Sequence, residues 1–340
     1  MTSRTTVEVP CRDIAGDTDR LVSLGWRIVD VYPADDPRRV TLDGHGVRLR
    51  LVRADAPRPH IVLDDVAVLG DSAAPDAAVL PSANSRPSLT STFQMTSGDE
   101  AWHVGRAGME YRDIVPDRQG GAVIASHIRI RTAGPVPDYP HHHDVLFQLI
   151  FCQRGWVRLA YEGQGEPFVL RAGECVTQPP HIRHRVLECS ADLEVVEIGC
   201  PAEHLTIADH DFDFTTSEVD PTRTWDGQRF VRYTHENATW KKVDTGIRES
   251  DTGVDDATHS RADVRVIDME TDTSWTVPTV GPDTFTMIYV LTGETQVKTS
   301  VSSTTHRIHE SGSFVVPVDH DARVVATTPA RLLLVRVDVS

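Results

Sequence analysis

Apolar positions change their period several times within the first fifty residues. "TTVEVP" alternates with period two, as a strand does. In "RDIAGDTDRLVSLG" the apolar Ile14, Leu21, Val22 and Leu24 take helical spacing, and Gly25 marks the stop. "WRIVDVY" returns to alternation, and "RRVTLDGHGVRLRLVR" holds two alternating runs joined by Asp43, Gly44, His45 and Gly46, a hairpin signal. The predicted order is β, α, β, β, β, a small α+β module over residues 1–56.

Residues 57–94 are expected to be a linker, because "SAAPDAAVLPSANSRPSLT" is rich in Ala, Pro and Ser and has little periodicity. From residue 95 onward short alternating runs are separated by Gly, Pro and Asp, the pattern of a sandwich or barrel of antiparallel strands. An acidic, polar break at 208–227 divides this β region into 95–207 and 228–340. The two parts are related by a constant offset of 138 residues: Trp102 and Trp240, Gly108 and Gly246, Asp113 and Asp251, Gly155 and Gly293, Pro179 and Pro317. Trp, Gly and Pro held at one offset mark an internal duplication.

Composition narrows the partners. At 340 residues the chain exceeds what one core usually serves, and 39% hydrophobic with 25% charged residues is ordinary for a globular protein. A net charge of -16 with no basic patch excludes nucleic acid as an expected partner. No apolar run reaches the roughly 18 residues that span a bilayer, so no membrane is expected. The N-terminal residues lack the apolar stretch of a signal peptide, and five widely spaced cysteines without a CxxC pair read as reduced thiols, so the expected location is cytoplasmic.

The candidate chemistry lies in "YPHHHDVLFQLIFCQRG", residues 139–155. In an extended chain His141 and His143 share one face and His142 points the other way. Gln148 interrupts the apolar run Phe147, Leu149, Ile150, Phe151, and a buried amide there needs a partner. Downstream, "RAGECVTQPPHIRHRVLE" brings Gly173, Pro179, His181 and His184 before another apolar strand. Glu203 and His204 in "CPAEH" read as a loop cap near the barrel mouth.

Two resemblances follow from these residues. The "VPCRDIA…LGW…VTLDGHGVRLRL" pattern resembles a single half-module of the vicinal oxygen chelate superfamily, which would make residues 1–56 an accessory or dimerising domain. His141-x-His143-x4-Gln148-x6-Gly155 resembles the first cupin motif, HxHx(3,4)Ex6G, and Gly173-x5-Pro179-x-His181-x2-His184 resembles the second, Gx5PxGx2H. With the duplication, the chain is similar to a bicupin: mainly β, two tandem double-stranded β-helix (jelly-roll) barrels behind the α+β module.

The resemblance implies that His141, His143 and His184 are metal ligands and that Gln148 takes the place of the glutamate ligand. Gln148 and His181, the latter standing where the motif has glycine, are also the catalytic candidates. Imidazole nitrogens suit one divalent transition metal, Fe(II) first, with Mn, Ni, Zn or Cu also compatible. At the aligned positions the second barrel carries Thr279, Gly281, Thr286 and Ala322, which make no ligand set, so it is expected to be structural. The implied function is a metal-dependent oxidoreductase, a non-haem dioxygenase acting on a small, anionic aromatic or enolisable acid. The alternatives are a metal-assisted lyase, isomerase or decarboxylase that uses no oxygen, and a non-catalytic small-molecule-binding cupin. Cupins usually pair, so a homodimer is expected.

Overall fold

A computed structural model describes residues 6–54, 60–63, 66–69, 86–105, 109–214, 219–301 and 304–340, with backbone alone over 60–69. Gly108 and the Ala/Pro/Ser-rich residues 72–85 lie outside the described residues.

The N-terminal module forms as its pattern predicts. Strand Thr6–Cys11 leads into helix Ile14–Ser23, whose first turn is closed by the Asp13 carboxylate accepting from the Gly16 amide at 2.9 Å. Arg39–Gly44 and Val47–Arg53 form the hairpin, and its two-residue turn needs left-handed backbone at His45 (φ 51) and Gly46 (φ 80). Thr6–Cys11 lies parallel to Val47–Arg53, and Arg27–Tyr32 pairs with the hairpin's first strand. The module's core is small: Cys11, Ile14, Val31, Val40, Leu42 and Leu51.

The expectation of a plain linker over 57–94 is corrected. Strands His60–Leu63 and Val66–Leu69 extend the module's sheet beyond Thr6–Cys11, and Gln94–Thr96 belongs to a barrel. The polar break at 208–227 likewise contains the short strand Thr224–Trp225. Strands this short carry too few alternations to register against Pro and Ala.

Two barrels follow, and nearly every strand of the first recurs in the second about 138 residues later. Phe147–Arg154 matches Thr284–Thr292, Trp156–Tyr161 matches Glu294–Thr299, and Leu193–Cys200 matches Ala330–Asp338. Even the β-bulge recurs, between Cys152 and Arg154 and between Val290 and Thr292. The barrels exchange strands. Gln94–Thr96, which precedes the first barrel, pairs with Ser313–Val315 of the second, and Arg232–Tyr233, which precedes the second, pairs with Cys175–Thr177 of the first.

Alternation on the central strands separates two cores. Phe147, Leu149 and Phe151 face the other barrel and join Phe285, Met287, Tyr289 and Leu291 in one shared core. Cys152 turns inward, to an interior it shares with Val157, Leu159, Tyr161, Leu193 and Val195. The second barrel fills the equivalent space with Ile288, Val290, Val297, Phe314, Ala322 and Leu332, so its interior is packed with hydrocarbon where the first holds its histidines.

A buried polar cluster bridges the barrels. Arg112 Nη2 donates to His127 Nδ1 at 2.7 Å, and His127 Nε2 lies 3.0 Å from Glu194 Oε2. The guanidinium has no lone pair, so Nδ1 accepts, Nε2–H donates, and the imidazole is neutral although it faces a carboxylate. Arg112 also donates to the carbonyls of Gly98 and, at 3.3 Å, of Ser311 across the barrel boundary. Burial, foremost, holds the His127 pKa below the ordinary 6.5. The unfolded chain therefore binds a proton near pH 6.5 that the folded chain refuses. Stability is complete above that value and is lost as pH falls from it toward the depressed folded pKa. We expect Tm to fall as pH drops below about 6.5, with a shallower slope in His127→Gln; an unchanged slope in that variant would remove His127 from the account.

Candidate metal centre

Strand His141–His143 sits between His184–Cys189 and Thr206–Ala208, with His141 in register with His184. Period two puts His141 and His143 on the inner face, and the register brings His184 alongside. All three are buried, and one ligand atom from each lies within 4.8 Å of the other two. The ring centroids are 4.3 to 5.1 Å apart.

Hydrogen bonds orient the rings. His141 Nδ1 lies 2.7 Å from the Tyr139 carbonyl and His184 Nδ1 lies 3.0 Å from that of Ile182. A carbonyl only accepts, so both Nδ1 atoms carry the proton and both Nε2 atoms keep the lone pair. His143 Nδ1 meets the Thr206 hydroxyl at 2.9 Å, a partner able to satisfy either tautomer. Behind His141, the buried Asp138 approaches Nδ1 at 3.6 Å while its other oxygen accepts from the Val186 amide at 2.9 Å. Orienting partners of this kind are what a metal-ligating histidine requires.

Gln148 has the hydrogen-bond partner that its place in an apolar run demands. It lies opposite Gly199, and its Nε2 donates to Glu197 Oε1, one inward step along the neighbouring strand. Its Oε1 is buried and makes no hydrogen bond. A donor set of three imidazoles, with an unmatched amide oxygen on a neighbouring strand of the same barrel, fits a divalent transition ion.

The histidines end a cavity of ≈ 110 Å³ whose walls are Ile128, Ile130, Ile150, Leu159, Val186 and Val195, among others. Tyr161 stacks on His184 with centroids 5.5 Å apart and accepts from Gln178 Nε2 at 2.9 Å; burial pushes its phenol pKa up. Among the described residues no lysine or arginine lines the cavity. Ala34 and Asp35 of the N-terminal module complete the wall, and Asp35 is held by Arg118 at 2.6 Å. Beside them Glu203 accepts from Arg38 and from the Tyr32 hydroxyl at 2.9 Å, and burial, aided by that bond, pushes the Tyr32 pKa up to about 12. The module thus lies across the barrel mouth.

Two expectations change here. His181 is not brought to the cavity. It occupies a left-handed turn (φ 64) that points its half-exposed ring at Asp144, 3.8 Å away, and at His142, outside the barrel. The motif glycine marks that backbone conformation, and Asp319 adopts it in the second barrel (φ 61). His142 faces away as alternation requires but is half-buried, and burial lowers its pKa. Conversely, His204 does line the cavity, its ring 5.3 Å from that of His143, and burial lowers its pKa as well. Glu197 was missed, although Leu193, Val195 and Glu197 form one alternating face in the sequence.

No family model and no curated protein matches the chain, so likeness to known proteins rests on structure. Oxalate decarboxylase from Bacillus subtilis superposes with a TM-score of 0.52 at 11% identity, over 72% of this chain and 76% of that one. Protein Ylba from E. coli gives 0.54 at 7% identity, over 76% and 95%. The 11S globulin from Wrightia tinctoria gives 0.52 at 12% identity, over 74% and 84%. At such identities the likeness concerns the fold alone. That fold is the tandem cupin: two jelly-roll barrels, here with a histidine cluster in the first. Among the described residues no helix is long and apolar enough to cross a membrane.

Proposed function

We propose that this protein is a metal-dependent enzyme in which His141, His143 and His184 hold a divalent transition ion, and that it is a dioxygenase of small organic acids. The observation that carries the reading is the buried histidine cluster, with Nδ1 of His141 and of His184 committed to a carbonyl, at the end of an apolar cavity. When bound, such an ion supplies Lewis acidity and, in the case of iron, one-electron chemistry toward dioxygen.

The cavity defines what its residues can accept. Neutral imidazoles leave the charge of the ion uncompensated on their side, which favours an anionic substrate that chelates through two oxygens. The isoleucine, leucine and valine walls bind the remainder of the substrate by excluding water, and they suit an apolar body over a second charged group. Tyr161, with its proton retained and Gln178 donating to its oxygen, can donate a hydrogen bond to a substrate oxygen.

A second reading, an oxygen-independent lyase or decarboxylase, draws on the Glu197 carboxylate in the cavity wall and on likeness to an oxalate decarboxylase. Oxygen uptake separates them. Metal-loaded protein is tested with catechols, gentisate and diketones in an oxygen electrode and, in parallel, without oxygen. The dioxygenase reading expects stoichiometric uptake with one of these classes. Turnover that persists without oxygen replaces it with the second reading, and protein that takes up no transition metal removes both.

A further inference from the structure

We infer that Glu197 is the positioning residue of the metal centre, holding the Gln148 amide so that Oε1 is the atom offered to the ion. This rests on the metal reading of the histidine cluster. The strand register makes the arrangement possible. Gln148 stands opposite Gly199 and Ile150 stands opposite Glu197. Gln148 therefore reaches diagonally to Glu197, two residues from its own partner and on the same inner face.

The chemistry of the pair fixes the amide. A carboxylate accepts and does not donate, so the amide must turn its NH2 toward Glu197 and its oxygen away. That oxygen is buried and unmatched by any hydrogen bond among the described residues, so its lone pairs are available to a cation. A glutamine without such a neighbour could present either end. The carboxylate that the motif places at position 148 thus stands one strand away at Glu197, where it supplies negative charge through the amide. Internal comparison agrees: the second barrel has Thr286 for Gln148 and, opposite Ile288 as Glu197 is opposite Ile150, Leu334 for Glu197, so the pair is absent from the copy that lacks the histidines.

The test titrates metal-free full-length protein with Co(II), reading the d–d absorption band and, by chelator competition, the Kd. Glu197→Gln removes the obligate acceptor while conserving shape. It is expected to bind Co(II) about 10- to 100-fold more weakly with an altered band. Adding Gln148→Glu to that variant returns a carboxylate to position 148 and is expected to restore both readouts. Gln148→Leu, tested alone, should lose at least as much affinity as Glu197→Gln. A Glu197→Gln protein with the wild-type Kd and band overturns the inference, as does loss without recovery in the double variant, or a Gln148→Leu protein that binds normally. Should wild-type protein bind no Co(II), the metal site itself falls, which is a different result from a wild-type that binds and a Glu197 variant that is unaffected.

Discussion

Replacing His143 with alanine is expected to leave a folded protein that no longer retains a transition metal. His143 is one of the three members of the cluster, its ring 5.1 Å from His141 and 5.0 Å from His184. Partners that merely orient a ligand contribute 10- to 100-fold in metal affinity, so loss of one of three imidazoles should cost roughly two orders of magnitude or more. The fold should survive, because the ring belongs to neither of the hydrocarbon cores that pack the first barrel. Elemental analysis after dialysis, beside circular dichroism, reads both halves of the expectation. His181→Ala serves as the contrast, since that ring lies outside the cavity, and it should keep its metal. Full metal content in the His143 variant would end the ligand assignment.

The largest stability effect is expected at the seam between the barrels. Phe285 is 1% exposed and belongs, with Phe147, to a core that draws buried side chains from both barrels. Truncating a buried phenylalanine removes its transfer free energy and leaves a cavity that close-packed strands fill poorly, so Phe285→Ala should cost about 3–5 kcal/mol. Against a urea m-value on the order of 1–3 kcal/mol/M, the midpoint should fall by roughly 1 M or more. Because each barrel also completes a sheet of the other through the strands Gln94–Thr96 and Arg232–Tyr233, the two should unfold in one transition. Two separate transitions in the wild-type protein, or a loss below about 1 kcal/mol, would contradict a shared core.

Legibility followed the range of the interactions. The N-terminal helix and hairpin could be read because caps, turns and apolar spacing act within a few residues: Asp13 closes its own helix and His45-Gly46 its own turn. The duplication was readable because Trp, Gly and Pro recur at one offset. His141 and His143 could be paired from alternation alone, and His184 joined them through motif spacing. His181 was misplaced because a motif position says which backbone conformation is required, and not that the side chain occupying it enters the site.

What the sequence determined by itself is the N-terminal helix and hairpin, the alternating strands of the barrels, the twofold repetition and the three histidines, since periodicity and turn chemistry are local. Tertiary structure alone decided which buried faces meet. It set Glu197 beside Gln148 through register between strands some fifty residues apart, turned Phe147 toward Phe285, exchanged strands between the barrels, and laid Ala34 and Asp35 of the N-terminal module across the cavity. An alternating strand announces that one face must leave water; the partner that removes it from water is chosen by the packing of the whole chain.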